Sequence, residues 1–494
     1  MRIEKNAKIF LQLKDRYASL TIQVRAAIWF LVCSFFQKGI SAITTPIFTR
    51  LLSAEEYGQY NVFLSWEGIL SVIVTFSLTS GVYMQGLVKY EEEREQFSSS
   101  LQGLTLTLVL LWFGIYWIFK DIINSLLSLS TTLVVLMFII MWETAIFGFW
   151  SSYQRVDYKY KKLVLLTLIL SVGQTALSLL FVWFSKDKVL GRVAGQTVVY
   201  VLLFSGLFLF QMCRGKQFFN WKFWKHALLF NLPLIPHYLS NTVLNSADRI
   251  MISRMVGDNE AGIYSLAYSI SLLMTIFNTA LQQTLEPWRY KKQKSGQQED
   301  MAKVAYSTLV LIAVLNLILI ALAPEIVAIF APAEYYDAIW IIPLVSMSTY
   351  FMYMFGWFAN FEFYYEKTKY IMIATATGAI LNILLNYICI ESFGYLAAGY
   401  TTLVCYIIYA LMHYCFMRLI CKKYLDNKKI YDEKILIGIS LLFMLCGFVL
   451  QFTYMNQIIR YGILLGMMVV LILKRRFIYG IIEQLIGIRT SKKV

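Results

Sequence analysis

Long apolar stretches recur along the entire chain, and short polar segments separate them. An α-helix needs about 20 consecutive apolar residues to cross the hydrocarbon core of a bilayer. On that scale the pattern predicts about fourteen spans, at residues 25–46, 58–84, 98–119, 126–150, 163–184, 189–211, 227–252, 261–287, 303–330, 338–361, 370–390, 395–417, 435–452 and 459–473. The polar segments between them differ by side. With the N-terminus counted as cytoplasmic, basic clusters at 2–25, 89–94, 155–162, 214–225, 289–303, 367–369, 418–434 and 474–493 all fall on the cytoplasmic side. They hold 35 of the 44 lysines and arginines, which is the positive-inside pattern. The alternation closes only for an even count, so fourteen spans with both termini inside is the consistent topology. The outer loops are short, and none has room for a folded extracellular domain.

Composition agrees with this pattern. Hydrophobic residues make up 59% of the 494, and mean hydropathy is +0.62, whereas soluble domains are about 45–50% apolar. Only 15% of residues are charged, too few to cover a water-facing surface. A net charge of +15 would suit an acidic partner. Its placement in alternate loops assigns it to topology instead, and no nucleic-acid partner is expected. Seven cysteines form no CxxC, and His226, His237 and His413 form no metal-spaced pair, so neither a disulfide framework nor a zinc site is expected. The first apolar run has no small-residue cleavage site and leads straight into the second, so it reads as a retained span. The expectation is an all-α polytopic membrane protein with no cofactor and no metal.

Two segments repeat. Arg50 through Tyr60 follows the first span and Arg254 through Tyr264 follows the seventh; both read R-x5-E-x-G-x-Y at an offset of 204. The same offset maps Ala194-Gly195 in span six onto Ala398-Gly399 in span twelve. An offset of six spans keeps direction, so the halves are parallel repeats. The expected organisation is two six-helix lobes, residues 1–211 and 212–418, followed by spans thirteen and fourteen with a basic cytoplasmic tail, 419–494.

Chemistry-bearing motifs are sparse. Arg214-Gly215-Lys216-Gln217 lacks the rest of a Walker A loop. No G-x-S-x-G, H-E-x-x-H or paired-carboxylate loop is present. What remains is charge within the spans. Lys38 lies 13 residues beyond Arg25, about 20 Å deep, and Glu67 lies at about 15 Å from the other side. In a core of about 30 Å their side chains can meet. Either they line a cavity that takes an anionic substrate, or they form a structural salt bridge. Glu143, nearer the inner side of span four, reads as a structural partner or polar lining.

Asp248 and Arg249 end a span punctuated by Pro233 and Pro236, which break the helical ladder and predict a hinge. They border a polar cavity or form an interfacial charge pair. Arg50 and Arg254 read as outer-interface anchors that cap their turns. Asn382 and Asn386 share one helix face; they line the path or bond across helices. Gly462 and Gly466 form a GxxxG expected to pack span fourteen on span thirteen. The aromatics, 16% of the chain, are expected to face lipid and the interfaces for the most part.

These residues resemble the bacterial polysaccharide transporter family, the O-antigen and capsule repeat-unit flippases, within the superfamily of multidrug, oligosaccharidyl-lipid and polysaccharide exporters. The resemblance rests on Phe35-Phe36-Gln37-Lys38-Gly39 with Pro46, Arg50-Leu-Leu and Tyr57-Gly58-x-Tyr60. It continues through Leu232-Pro233, Ala247-Asp248-Arg249, Gly262-Ile-Tyr264, Ala267-Tyr268 and Glu286-Pro287. Gly394 and Ala397-Ala398-Gly399, after Asn382 and Asn386, complete it. The family implies a fourteen-helix, two-lobed, V-shaped exporter with a central cationic cavity. It implies a polyprenyl-pyrophosphate-linked oligosaccharide as the partner in the bilayer, flipped across the cytoplasmic (inner) membrane by alternating access. The polymerase and chain-length machinery of the same pathway are candidate partners. Three alternatives stand beside it. A lipid II flippase would carry more arginine in its cavity than Lys38 and Arg249 supply. A drug or cation antiporter shares the fold. A membrane polymerase or glycosyltransferase conflicts with the short outer loops and the repeat.

Overall fold

The computed structural model describes residues 22–473. Nineteen α-helices run through them, and no strand occurs among the described residues. They are α1 (Ile22–Leu51), α2 (Ala54–Thr75), α3 (Val82–Lys89), α4 (Arg94–Ile118), α5 (Lys120–Leu127), α6 (Thr131–Val156) and α7 (Tyr160–Phe184). Next come α8 (Lys188–Gly215), α9 (Trp221–Asn231), α10 (Ile235–Met255), α11 (Asp258–Ser271), α12 (Met274–Lys294) and α13 (Asp300–Ala321). The chain continues with α14 (Ala323–Phe330), α15 (Ala338–Tyr364), α16 (Thr368–Phe393), α17 (Ala397–Tyr424), α18 (Glu433–Phe452) and α19 (Gln457–Leu473).

Every predicted span contains a helix. Ten are long and apolar enough to cross a membrane, and the protein is a multi-pass membrane protein. The helices at spans one, two, seven and fourteen fall outside that ten. In α10 the reason is composition, since Asp248, Arg249 and Arg254 interrupt it; α19 has only 17 residues.

Four spans are broken where the pattern predicts one continuous run. Span two ends early: α2 stops at Thr75, Phe76 and Ser77 take left-handed backbone with φ of 50° each, and α3 restarts at Val82. Span seven is interrupted by a 3₁₀ turn at Leu232–Leu234 between α9 and α10. Pro233 has no amide hydrogen to donate and crowds the turn before it. Span eight divides between α11 and α12 at Leu272–Leu273, and span nine between α13 and α14 at Leu322.

The described residues form two compact units, one of residues up to 44 with 70–235, the other of residues 45–69 with those from 236 on. The boundary at Ile235–Pro236 coincides with the proline break. The first unit closes around aromatic rings. Tyr83 stacks on Phe97 at 5.9 Å and meets Phe149 edge-on at 4.8 Å, while Phe97 meets Phe223 at 5.3 Å. A substantial share of the aromatics is therefore internal packing and does not face lipid, because rings bury large area with few rotamers to lose. Buried Asn231 joins the two breaks of this unit: its amide donates to the carbonyls of Phe76 and Ser77, both at 2.8 Å.

In the second unit α15 runs through the core, with 83% of its apolar stretch buried. A helix that is apolar all round belongs in such a place. The GxxxG expectation fails. Gly462 and Gly466 are exposed, and a Cβ on either would meet nothing within 4 Å. Instead α19 is held by Ile463 and Leu464 against the core and by an Arg460–Glu325 ion pair.

Candidate functional site: a buried polar cluster around Asp248

Four helices of the second unit bring neutral donors to one carboxylate. α10 carries Asp248, whose side chain is buried. From α11, the Tyr264 hydroxyl donates to Asp248 Oδ2 at 2.7 Å. From α17, Thr402 Oγ1 donates to the same oxygen at 3.0 Å and lies 3.2 Å from the Tyr264 hydroxyl. From α16, the Asn386 amide donates to Asp248 Oδ1. Thr401 donates to Asn386 Oδ1, and Asn386 Nδ2 is 3.3 Å from Asn382 Oδ1, one turn earlier. Asn382 Nδ2 is buried without a partner among the described residues.

Asp248 and Arg249 make no ion pair among the described residues; adjacent positions on a helix point in different directions. The Arg249 guanidinium lies 4.4 Å from the centre of the Tyr268 ring and donates to Asn245 O at 3.1 Å. Asn245 in turn accepts from the Tyr406 hydroxyl at 3.0 Å. Asn382 and Asn386 thus bond across helices. The cluster holds α10, α11, α16 and α17 in one register. Among the described residues no three His, Cys, Asp or Glu side chains come together. The cluster offers one carboxylate among neutral oxygens, a set able to compensate a single positive charge.

Of the other sequence candidates, Glu67 is partly buried on α2 and has no hydrogen bond or ion pair among the described residues. Lys38 lies on α1, but its side chain lies outside the described residues, and so does its expected pairing with Glu67. Pro233 stands within the 3₁₀ turn and Pro236 opens α10's first turn. Arg50 caps helix ends: it donates to Pro46 O and to Ile329 O, both at 2.8 Å. Arg254 places its guanidinium 5.5 Å from the Trp66 ring centre.

The repeated segments meet each other. A Cβ on Gly58 would fall 1.8 Å from Asp258 O, and one on Gly262 would fall 2.0 Å from Ala54 O. At the 204-residue offset, Ala54 corresponds to Asp258 and Gly58 to Gly262, so the two contacts are equivalent. The repeated glycines are required because two backbones touch. The repeated glutamate has a capping role in the first copy: Glu56 accepts from Ser53 N at 2.9 Å while Ser53 Oγ accepts from Glu56 N at 3.2 Å, a capping box.

Sequence reasoning missed Tyr264, Thr401, Thr402 and Tyr406 as members of the cluster. The Thr401-Thr402 pair inside an apolar span was the available signal. It also passed over Glu362 and His413, a carboxylate and an imidazole placed within spans ten and twelve.

Comparison with known proteins agrees with this architecture. The family profile described as "Polysaccharide biosynthesis protein" matches residues 24–291, and that described as "MatE" matches residues 233–388. "Lsg locus putative protein 1" of Haemophilus influenzae is 26% identical over 208 residues, 40% of this chain and 50% of the relative. The alignment thus spans half of that protein's length. An "Uncharacterized membrane protein" of the same organism is 20% identical over 364 residues, 71% of this chain and 86% of the relative. Among solved structures, "Lipid II flippase MurJ, inward closed conformation" is similar with a TM-score of 0.70 at 16% identity, over 91% of this chain and 100% of that one. An inward-facing multidrug resistance MATE family transporter of the MOP superfamily gives 0.61 at 14% identity, over 79% and 96%. These structural likenesses are of fold. The first profile spans more than half of the sequence, and the chain belongs to the polysaccharide biosynthesis protein family.

Proposed function

We propose that this protein is a flippase for undecaprenyl-pyrophosphate-linked oligosaccharide repeat units. It moves them from the inner to the outer leaflet of the bacterial cytoplasmic membrane, for assembly of a surface polysaccharide such as O-antigen or capsule. The observation that carries this reading is the family match over residues 24–291. The lipid tail can remain in the bilayer while only the pyrophosphate and sugars need a polar route. Cations offset part of the phosphate's desolvation cost. In this reading Lys38 and Arg249 contact the pyrophosphate, and Glu67 balances Lys38. The Asp248–Asn382–Asn386 cluster keeps the polar helices in register, and Pro233 with Pro236 form the hinge. The lobes are residues 1–211 and 212–418, both termini are cytoplasmic, and the chain performs no chemistry of its own.

The test is the sidedness of lipid-linked oligosaccharide in a strain lacking the gene. The expected result is accumulation in the inner leaflet, reversed by the restored gene. Unchanged sidedness overturns the reading. Lipid II is the second reading, favoured by the fold likeness to a lipid II flippase. Rescue of growth in cells depleted of their own lipid II flippase would replace the oligosaccharide with lipid II.

A further inference from the structure

α15 and α17 pack along much of their length, and they bury an acid and a base between them. His413 Nδ1 lies 2.7 Å from Glu362 Oε1, with the side chains 1% and 0% exposed. Phe355 stacks on the imidazole at 5.2 Å, and Tyr409 meets it at right angles at 4.6 Å. The outward atoms of the pair, His413 Nε2 and Glu362 Oε2, are buried with no partner among the described residues. Apolar residues of similar volume would pack two such helices equally well. An ionisable pair at this depth therefore points to use.

We propose that Glu362 and His413 form a proton-binding site in the second unit, loaded and emptied as the protein changes conformation. This rests on the transporter reading above. With neutral imidazole donating Nδ1–H to Glu362, the site carries one uncompensated negative charge. One proton taken up at Nε2 makes an imidazolium–carboxylate pair of zero net charge. Only the Nε2–H bond forms on loading and breaks on release. The imidazolium also gains a cation–π contact with the stacked Phe355 ring.

The charged and titratable surroundings of the pair are few. On α17 the Tyr409 hydroxyl lies 3.4 Å from Thr375 Oγ1 of α16. From α12, Arg289 lies 4.9 Å from the Trp357 ring of α15 and donates to Gly356 O at 2.9 Å. Arg418, further along α17, donates to Lys428 O at 3.0 Å. From α18, Glu433 accepts from the Tyr414 hydroxyl at 2.8 Å. Asp248 differs from Glu362 in having three neutral donors on its carboxylate. Among the described residues Glu362 has the imidazole alone.

The chain has three histidines, so full-length protein labelled with ¹⁵N-histidine in lipid nanodiscs gives three imidazole spectra. H226Q and H237Q assign the third by elimination without touching the pair. The His413 Nε2 resonance is expected to pass from bare to protonated nitrogen as the pH is lowered across the range in which the protein stays folded. Spin labels at exposed Lys216 and Lys429 should report a distance change over the same range, lost in H413Q and in E362Q. A His413 nitrogen that keeps one form throughout overturns the proposal. So does a distance that ignores its titration, or a full distance change retained in folded H413Q. Because the wild-type titration decides, variants that fail to fold leave the test intact. Failure of the flippase reading would appear in the oligosaccharide sidedness assay and leave these measurements unaltered.

Discussion

Replacing Asn231 with alanine should unfasten two broken helices at once. Its amide donates to Phe76 O and to Ser77 O, and Ser77 O also accepts from Ser80 N at 2.9 Å. Alanine would leave Phe76 O without a partner, a loss of about 1–3 kcal/mol, and would take one of two bonds from Ser77 O, about 0.5–1.5 kcal/mol. Asn231 Oδ1 is buried and unpartnered, so its removal returns a part of that cost. Phe76 and Ser77 are only half-buried, and water can recover another part. The net expectation is a loss of about 2 kcal/mol. For a unit of this size that lowers the melting temperature by about 4–8 °C. Thermal melts of purified protein, followed by size-exclusion fluorescence, measure it. Asn231→Asp should cost more than alanine, because a carboxylate accepts where a donor is needed. Melting temperatures within about 1 °C of wild type for both variants, against that expected shift, would refute the claim that Asn231 joins the breaks.

Further outcomes follow from other contacts. Gly58→Ala places a methyl against the Asp258 carbonyl, and overpacking should cost about 1–3 kcal/mol, read as a lower melting temperature; Gly68→Ala, with a Cβ only 3.4 Å from the Thr242 methyl, should be nearly silent. Glu325→Gln strips the charge partner from buried Arg460 and should destabilise α19 by about 3–5 kcal/mol, while Arg460→Met with Glu325→Met should recover most of it; an additive double mutant refutes the pair. A cysteine at Gln297 should resist an impermeant reagent added to intact cells, and its labelling would reverse the topology. If Lys38 meets pyrophosphate as a point charge, Lys38→Arg should keep export and Lys38→Gln should lose it; restored export in Lys38→Met with Glu67→Met would make Lys38 structural.

The architecture was legible because lipid imposes one rule: every spanning backbone must satisfy itself, so apolar length alone marks helices. The helix breaks were legible only where proline announces them. Leu232–Leu234 was foreseeable from Pro233, whereas the break at Phe76–Ser77 has no proline and depends on Asn231, far away in sequence. The Asp248 cluster was half legible. A carboxylate and two asparagines inside spans signal polar work, but their meeting depends on side-chain directions across four helices, which spacing within one helix does not encode. The GxxxG misled because close packing needs a partner helix opposite the glycines, and none of the described residues lies there.

The 204-residue repeat makes a stronger statement in space than in sequence. Repeats that merely descend from a common ancestor have no need to touch. Here Gly58 and Gly262 do, each against a carbonyl contributed by the other segment, and the two contacts are interchangeable under the offset. A contact that maps onto itself when the copies exchange behaves like an isologous interface within one chain. Any residue change that opens one side must open its equivalent. The repeated arginines are not bound by this rule: Arg50 reaches a carbonyl of α14 whereas Arg254 lies over Trp66. The glycines therefore serve the crossing itself, and the glutamate caps its own helix in the first copy. The arginines hold different neighbours around the crossing.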